Sequence, residues 1–152
     1  MGAAVAASRS LRLLSWNVNG GRDTQIARIL AANPDVVALQ EVRQGSLADF
    51  QALPGFTCLD SARHDRTNFN LVASRWPIRA LPPTQVPYPE RVLSVEIDTP
   101  WGVTIELHNV HIPDGSTYEL EKIETFEGVF KRLACPSDAF RPRILCGDFN
   151  TP

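Results

Sequence analysis

A chain of 152 residues with 43% hydrophobic and 21% charged residues has the composition of one soluble globular domain, which at this length buries about 68 to 70% of its unfolded surface. That composition excludes a disordered chain, and no window approaches the roughly 18 apolar residues of a membrane span. A net charge of −2 and a pI near 5.9 exclude a global field that attracts polyanions, so any phosphate binding must come from a local site or a metal ion.

Residues 1–10 read as a disordered leader. Their apolar stretch is too short and their start not basic enough for a signal peptide, and Ala6 stands where a myristoylation signal wants Ser or Thr. Leu11 to Trp16 is expected as a buried strand, Gly20-Gly21 as a turn, and Asp23 as the N-cap of a short helix with Ile26, Ile29 and Leu30 on one face. Asn33-Pro34 ends that helix. Val36 to Leu39 follows as a second buried strand, so the chain opens on a βαβ unit whose strands run parallel. Ser46 is expected to cap a short helix bearing Leu47 and Phe50, stopped by Pro54-Gly55.

Extended segments come next: Phe56 to Leu59, Phe69 to Ser74, Val92 to Ile97 and Val103 to Val110. The last two, joined across Thr99-Pro100-Trp101-Gly102, predict an antiparallel hairpin. Leu81 to Pro89 carries four prolines and is expected as a surface loop. Thr117 to Leu133 is the best helix. Ser116 and Glu119 have capping-box spacing, Ile123, Phe126, Phe130 and Leu133 make an apolar stripe expected to face the core, and Glu127 and Lys131 pair on the exposed side. Cys135-Pro136 closes it, and Arg143 to Cys146 returns as a buried strand.

Cys58, Cys135 and Cys146 are an odd number without metal-type spacing. They read as reduced, small hydrophobes, which makes the cytoplasm the expected location. Arg22, Arg43, Arg63, Arg66, Arg75 and Arg79 fall in or beside predicted loops; singly they read as solvated surface, together as one possible basic rim.

The chemistry sits where hydrophobic runs end. Glu41 follows the second strand, at the mouth of a parallel pair, where α/β proteins place ligands. Magnesium takes one or two protein carboxylates and fills its octahedron with water and phosphate, so Glu41 is a candidate ligand. Asn17, one βα unit earlier, lies on the neighbouring strand end, within reach of the same ion or a phosphate oxygen. Asp148 and Asn150 share a turn at Gly147: an acceptor able to handle a proton and an amide able to hold a phosphoryl oxygen. His111, between a strand and Pro113-Asp114-Gly115, is a candidate donor to that phosphate. Taken singly, Asn17 reads better as a turn residue, Glu41 as a helix-leading acid and His111 as a satisfied loop histidine.

Taken together, Ser15-Trp-Asn-Val-Asn-Gly20, Leu39-Gln-Glu-Val42, Asn70-Leu-Val-Ala-Ser-Arg-Trp-Pro77, Asn109-Val-His-Ile-Pro-Asp-Gly115 and Gly147-Asp-Phe-Asn150 resemble the endonuclease/exonuclease/phosphatase superfamily, which includes exonuclease III, apurinic endonucleases and deoxyribonuclease I. The resemblance runs from about Leu11 to Asn150. It implies an α/β fold with mixed sheets, here half of a four-layer α/β/β/α sandwich, and metal-dependent phosphodiester hydrolysis by in-line attack of water, with DNA as the expected substrate. Carried over by position, Glu41 and Asn17 fall at the Mg²⁺ (or Mn²⁺) site, Asp148, Asn150 and His111 are catalytic, and Asn70 and Arg91 border the substrate.

Family members continue beyond the position of Asn150 to a second Asp near the metal and a late Asp-His pair, and no histidine follows Asp148 here. Residues 11–152 are therefore expected to be the front part of a family domain, short of turnover on its own and self-associating through an uncovered sheet face. A catalytically incomplete fragment, or a member acting on other phosphoesters, is the alternative.

Overall fold

The computed structural model describes residues 9–63, 65–135 and 141–151. Most of the expected leader, His64 and the Pro136 end of the long helix lie outside these residues. Among the described residues, eight strands and three helices follow one another as β1 (Leu13–Gly20), α1 (Asp23–Ala32), β2 (Val36–Arg43), α2 (Gln44–Gln51), β3 (Thr57–Asp60), β4 (Asn68–Ser74), β5 (Ile78–Ala80), β6 (Val92–Asp98), β7 (Thr104–His111), α3 (Gly115–Ala134) and β8 (Arg143–Asp148), with a 3-10 turn at Pro89–Arg91.

They build two mixed sheets, ordered β1-β2-β4-β3 and β5-β6-β7-β8. β1 and β2 run parallel, as the opening βαβ unit predicts, and β6 and β7 form the expected antiparallel hairpin, closed by Gly102 N donating to Thr99 O at 3.1 Å. β7 and β8 are parallel, so the ends of both strands point the same way.

Alternation along the strands distributes apolar residues into three cores. Val36, Ala38 and Val72 of the first sheet meet Leu93, Val95, Ile97 and Leu107 of the second, and this layer holds the sheets face to face. Ile29, Leu47 and Phe50 bring α1 and α2 onto the outer side of the first sheet. Val129 of α3 covers Val92, Val110 and Ile112 on the outer side of the second. The layers are thus helix, sheet, sheet, helix, and both sheets belong to this chain. The expectation of an uncovered inner sheet face is corrected along β2, β4, β6 and β7, whose inner residues are buried by the opposite sheet, while Leu13 of β1 and Ile144 and Cys146 of β8 stay partly exposed.

Apolar exposure lies elsewhere. Of the stripe expected in the core, Leu133 packs beside the buried Val129, while Ile123, Phe126 and Phe130 are 56%, 36% and 71% exposed and lie with Leu120, 69% exposed, on the helix flank. A close approach fixes this roll. A Cβ on Gly128 would stand 2.6 Å from the carbonyl oxygen of Gln85, so only glycine lets the Gln85 backbone lie against this face of α3.

Helix starts also differ from expectation, because a nearer partner takes each cap. α1 is capped at Arg22, whose backbone N–H donates to Gln25 Oε1 at 2.7 Å, and Asp23 is its first residue. α2 starts directly from β2, and Ser46, expected as its cap, donates its hydroxyl to Gly20 O at 2.9 Å. α3 is capped by Asp114, which accepts from Ser116 N at 3.1 Å. The Ser116–Glu119 box does not form, since Glu119 leaves helical geometry at φ 34. Among the described residues, no helix is long and apolar enough to cross a membrane.

Candidate active site

Polar residues in the last rungs of four strands converge from both sheets, Asn17 lying within β1, three residues before its end at Gly20. β1 brings Asn17 and β2 brings Glu41; β7 and β8, paired His111 to Asp148, bring the other two. Asn17 Nδ2 donates at 2.8 Å to Glu41 Oε1 and at 2.8 Å to Asp148 Oδ2, so one amide bridges carboxylates carried by different sheets. Its Oδ1 accepts from Asn19 N at 3.0 Å. Asn17 therefore spends its donors on orienting the two acids.

Glu41 does not end its strand. β2 continues to Arg43, and Glu41 stands in an interruption of the ladder with a positive φ of 55. That backbone turns its carboxylate toward His111, whose Nε2 lies 3.3 Å from Glu41 Oε1. Glu41, His111 and Asp148 each offer one ligand atom, all within 4.8 Å of one another. The two carboxylates at this spacing suit a hard divalent cation such as Mg²⁺ or Mn²⁺, and the imidazole adds a nitrogen donor that transition metals accept more readily than Mg²⁺ does.

Ionisation favours that use. Burial, then the Arg91 guanidinium, lower the pKa of His111 from its ordinary 6.5, against the opposite pull of Glu41 and Asp148, so the ring is neutral near pH 7 with a lone pair to give. Burial opposes ionisation of Asp148, but hydrogen bonds from Asn17 and the Asn150 N–H and the proximity of His111 prevail, and its pKa falls below the ordinary carboxylate value. Asp148 is an acceptor only.

Asn150 is held in place as well as near. Its N–H donates to Asp148 Oδ1 at 2.9 Å and its side-chain amide to Ile112 O at 2.8 Å, with His111 Nε2 at 3.5 Å. Asn70, expected to border the substrate, is buried, and its amide donates to Arg91 O at 2.7 Å and Asn109 O at 3.0 Å. It supports Arg91 from behind and does not line the cleft. Arg91 is half-buried, its guanidinium 5.2 Å from the Tyr88 ring and 4.9 Å from the Tyr118 ring, and it donates to Tyr118 Oη at 3.3 Å.

Three neighbours escape sequence reasoning: Tyr88, Tyr118 and Lys122. Lys122 Nζ donates to Asn150 O at 2.7 Å and lines, with Asp114, Asp148 and Asn150, a cleft of about 510 Å³. It sits off the apolar stripe of α3, where a lysine reads as solvated surface. A larger cavity, about 870 Å³, lies between Pro83–Pro87 and α3, away from the trio.

A sequence profile of the Endonuclease/Exonuclease/phosphatase family matches residues 14–152. No curated protein matches the chain in sequence. Among solved structures, D. rerio TDP2 complexed with single strand DNA product is similar at a TM-score of 0.70 and 21% identity, over 93% of this chain and 61% of that one. An AP endonuclease from Archaeoglobus fulgidus gives 0.70 and 20%, over 93% and 58%, and ANGEL2, a 2',3'-cyclic phosphatase, gives 0.63 and 17%, over 93% and 53%. The chain thus spans little more than half the length of these proteins, and at such identities they speak for the fold alone. The profile carries the assignment further, because it runs from β1 to the last residue and takes in every member of the Asn17–Glu41–His111–Asp148 cluster: the chain belongs to the endonuclease/exonuclease/phosphatase family.

Proposed function

We propose that the chain carries the cation-binding front of a Mg²⁺-dependent phosphodiester hydrolase, with Mn²⁺ as an alternative ion and DNA as the substrate. One observation carries this reading: ligand atoms of Glu41, His111 and Asp148 from two sheets meet within 4.8 Å. Glu41, His111 and Asp148 would hold the cation, which would supply positive charge to offset that building on phosphate oxygens. Asp148, held ionised, has lone pairs beyond those given to Asn17 and Asn150, with which it orients a water or takes its proton. Asn150 fixes Asp148, and His111, whose Nε2 lies beside Glu41, would give its lone pair to the cation. Arg91, a guanidinium framed by two rings beside His111, suits a phosphate of the substrate strand. The likeness to TDP2 with a single strand DNA product and to an AP endonuclease supports DNA.

A second reading has its own support: the net charge of −2 and the likeness to a 2',3'-cyclic phosphatase favour a smaller phosphoester. The chain, alone and fused after Pro152 to the C-terminal part of a relative, should be assayed on abasic duplex, single-stranded oligonucleotide and a cyclic nucleotide, with Mg²⁺ and with EDTA. The chain alone is expected at background and the fused chain to cleave DNA. Cleavage of the cyclic nucleotide only would replace DNA by the second reading.

The same reading includes self-association. The exposed α3 flank and Leu145 of the edge strand β8, 38% exposed, give the chain an apolar surface of the kind that binds partners or dyes. Paired changes Ile123→Glu and Phe130→Glu are expected to turn a self-associating chain into a monomer in sedimentation; a monomeric unaltered chain at micromolar concentration would rule this out. Cys58, Cys135 and Cys146 are free thiols, and the setting proposed for them is a reducing cytoplasm; burial keeps Cys58 and Cys146 protonated, their pKa raised to about 11.

A further inference from the structure

Behind Glu41 the two sheets are joined by buried amides that touch no ligand atom. The β2–β4 ladder is regular up to Leu39 opposite Leu71 and resumes at Val42 opposite Phe69. Gln40 and Glu41 therefore face Asn70 alone, two residues against one, which is a β-bulge. A bulge leaves ladder groups unserved, and buried carbonyls must find donors. Asn109, fully buried on β7 of the other sheet, provides them: its Nδ2 donates to Leu39 O at 2.8 Å and to Leu71 O at 3.1 Å, one carbonyl from each strand of the bulge. Its Oδ1 accepts from Gln40 Nε2 at 2.7 Å, which ties the bulge residue before Glu41 to the same side chain.

Glu41, second in the bulge, has a φ of 55. A residue with a Cβ avoids that region unless its surroundings hold it there. Asn109 also lies two positions before His111 on a strand that pairs His111 with Asp148. One amide thus links the strand that presents Glu41 to the strand pair that presents the other two ligand atoms.

We propose that Asn109 is a positioning residue for Glu41: by donating across the sheets to both strands of the bulge, it holds Glu41 in its left-handed conformation and sets the spacing of the Glu41–His111–Asp148 trio. The functional part of this inference rests on reading the trio as a cation site; the conformational part does not. Asn109→Leu keeps the volume and removes the donors. Leu107→Ala, in the inter-sheet core but not in this amide network, is the control for general loosening.

Two readouts are needed on the full chain: the Glu41 Cα and Cβ chemical shifts, which report its backbone conformation, and Mn²⁺ affinity by calorimetry. Asn109→Leu is expected to move the Glu41 shifts away from left-handed values and to weaken Mn²⁺ binding about tenfold or more, while Leu107→Ala lowers thermal stability and leaves both unchanged. Should Asn109→Leu not fold, Gln40→Leu, which removes the donor to Asn109 Oδ1 together with those to Ala38 O and Ser15 Oγ but leaves both donations from Asn109 in place, is expected to move both readouts in the same direction by less. Unchanged Glu41 shifts in the variant that folds, or equal changes in Leu107→Ala, would overturn the proposal. Moved shifts in a protein that binds no Mn²⁺ even unaltered would uphold the positioning and overturn the cation site.

Discussion

Asp148→Asn is expected to lower DNA cleavage by the fused chain by about two to four orders of magnitude, the range for loss of a positioned proton acceptor. The substitution is nearly isosteric, so the fold should survive it. Its effect comes from charge and hydrogen-bond polarity. Asp148 now accepts from Asn17 Nδ2 through Oδ2 and from Asn150 N through Oδ1, and an amide can offer only one acceptor oxygen to those two donors. One donor is left facing an NH₂, and the trio loses a negative charge together with a proton acceptor. Single-turnover cleavage measured beside a thermal melt separates the two consequences: a lost rate with an unchanged melting temperature is the expected pair. A variant retaining more than about a tenth of the rate would remove Asp148 from the chemistry.

Gly147→Ala is expected to cost stability, on the order of 3 kcal/mol or more, through steric overlap that no side chain can relieve. Gly147 pairs with Val110 at φ 134, and a Cβ built on it would stand 1.8 Å from Val110 O and 2.8 Å from Val110 N. Both neighbours are backbone. To admit the methyl group, β8 must separate from β7, which carries Asp148 away from His111 and exposes the Ile144 and Cys146 side that packs between the sheets. Against a typical domain stability of roughly 5 to 15 kcal/mol, the variant should show a large drop in denaturation midpoint and a much weaker cation site. A change below about 1 kcal/mol would mean that β8 does not pair in this register.

How far the residues announced these arrangements depends on the range of the interaction. Val36 to Leu39 and the Val92–Val110 hairpin are runs whose own periodicity and turns define them, and each forms as expected, while Leu11 to Trp16 forms as a half-buried strand shifted to Leu13–Gly20. Asn17, Glu41, His111, Asp148 and Asn150 are each weak signals alone, yet they lie at or near the same end of their strands in two packed sheets, and the five assemble. The bulge at Gln40-Glu41 has no local signal, because it is stabilised by Asn109, 70 positions from Leu39. Asn70 is hard to place from sequence for a similar reason: a buried amide and a ligand-facing amide have the same sequence signature, and only its partners, Arg91 O and Asn109 O, tell them apart. The stripe on α3 shows the limit of amphipathic periodicity. A period of 3.6 states that one face is apolar, while the roll of the helix is set by what approaches it, here the Gln85 backbone at Gly128.

The central claim is that Glu41, His111 and Asp148 hold a divalent cation, and Mn²⁺ titration of the chain beside Glu41→Ala tests it most directly. Binding is expected for the unaltered chain and loss of it for the variant. The pH dependence follows from His111: its pKa lies below 6.5 in the fold, so protons compete with the cation only below that value. Affinity is therefore expected to hold level from about pH 8 down to about 6.5 and to weaken as pH falls further. Equal heats for the unaltered chain and Glu41→Ala, or affinity that rises as pH falls, would contradict the account.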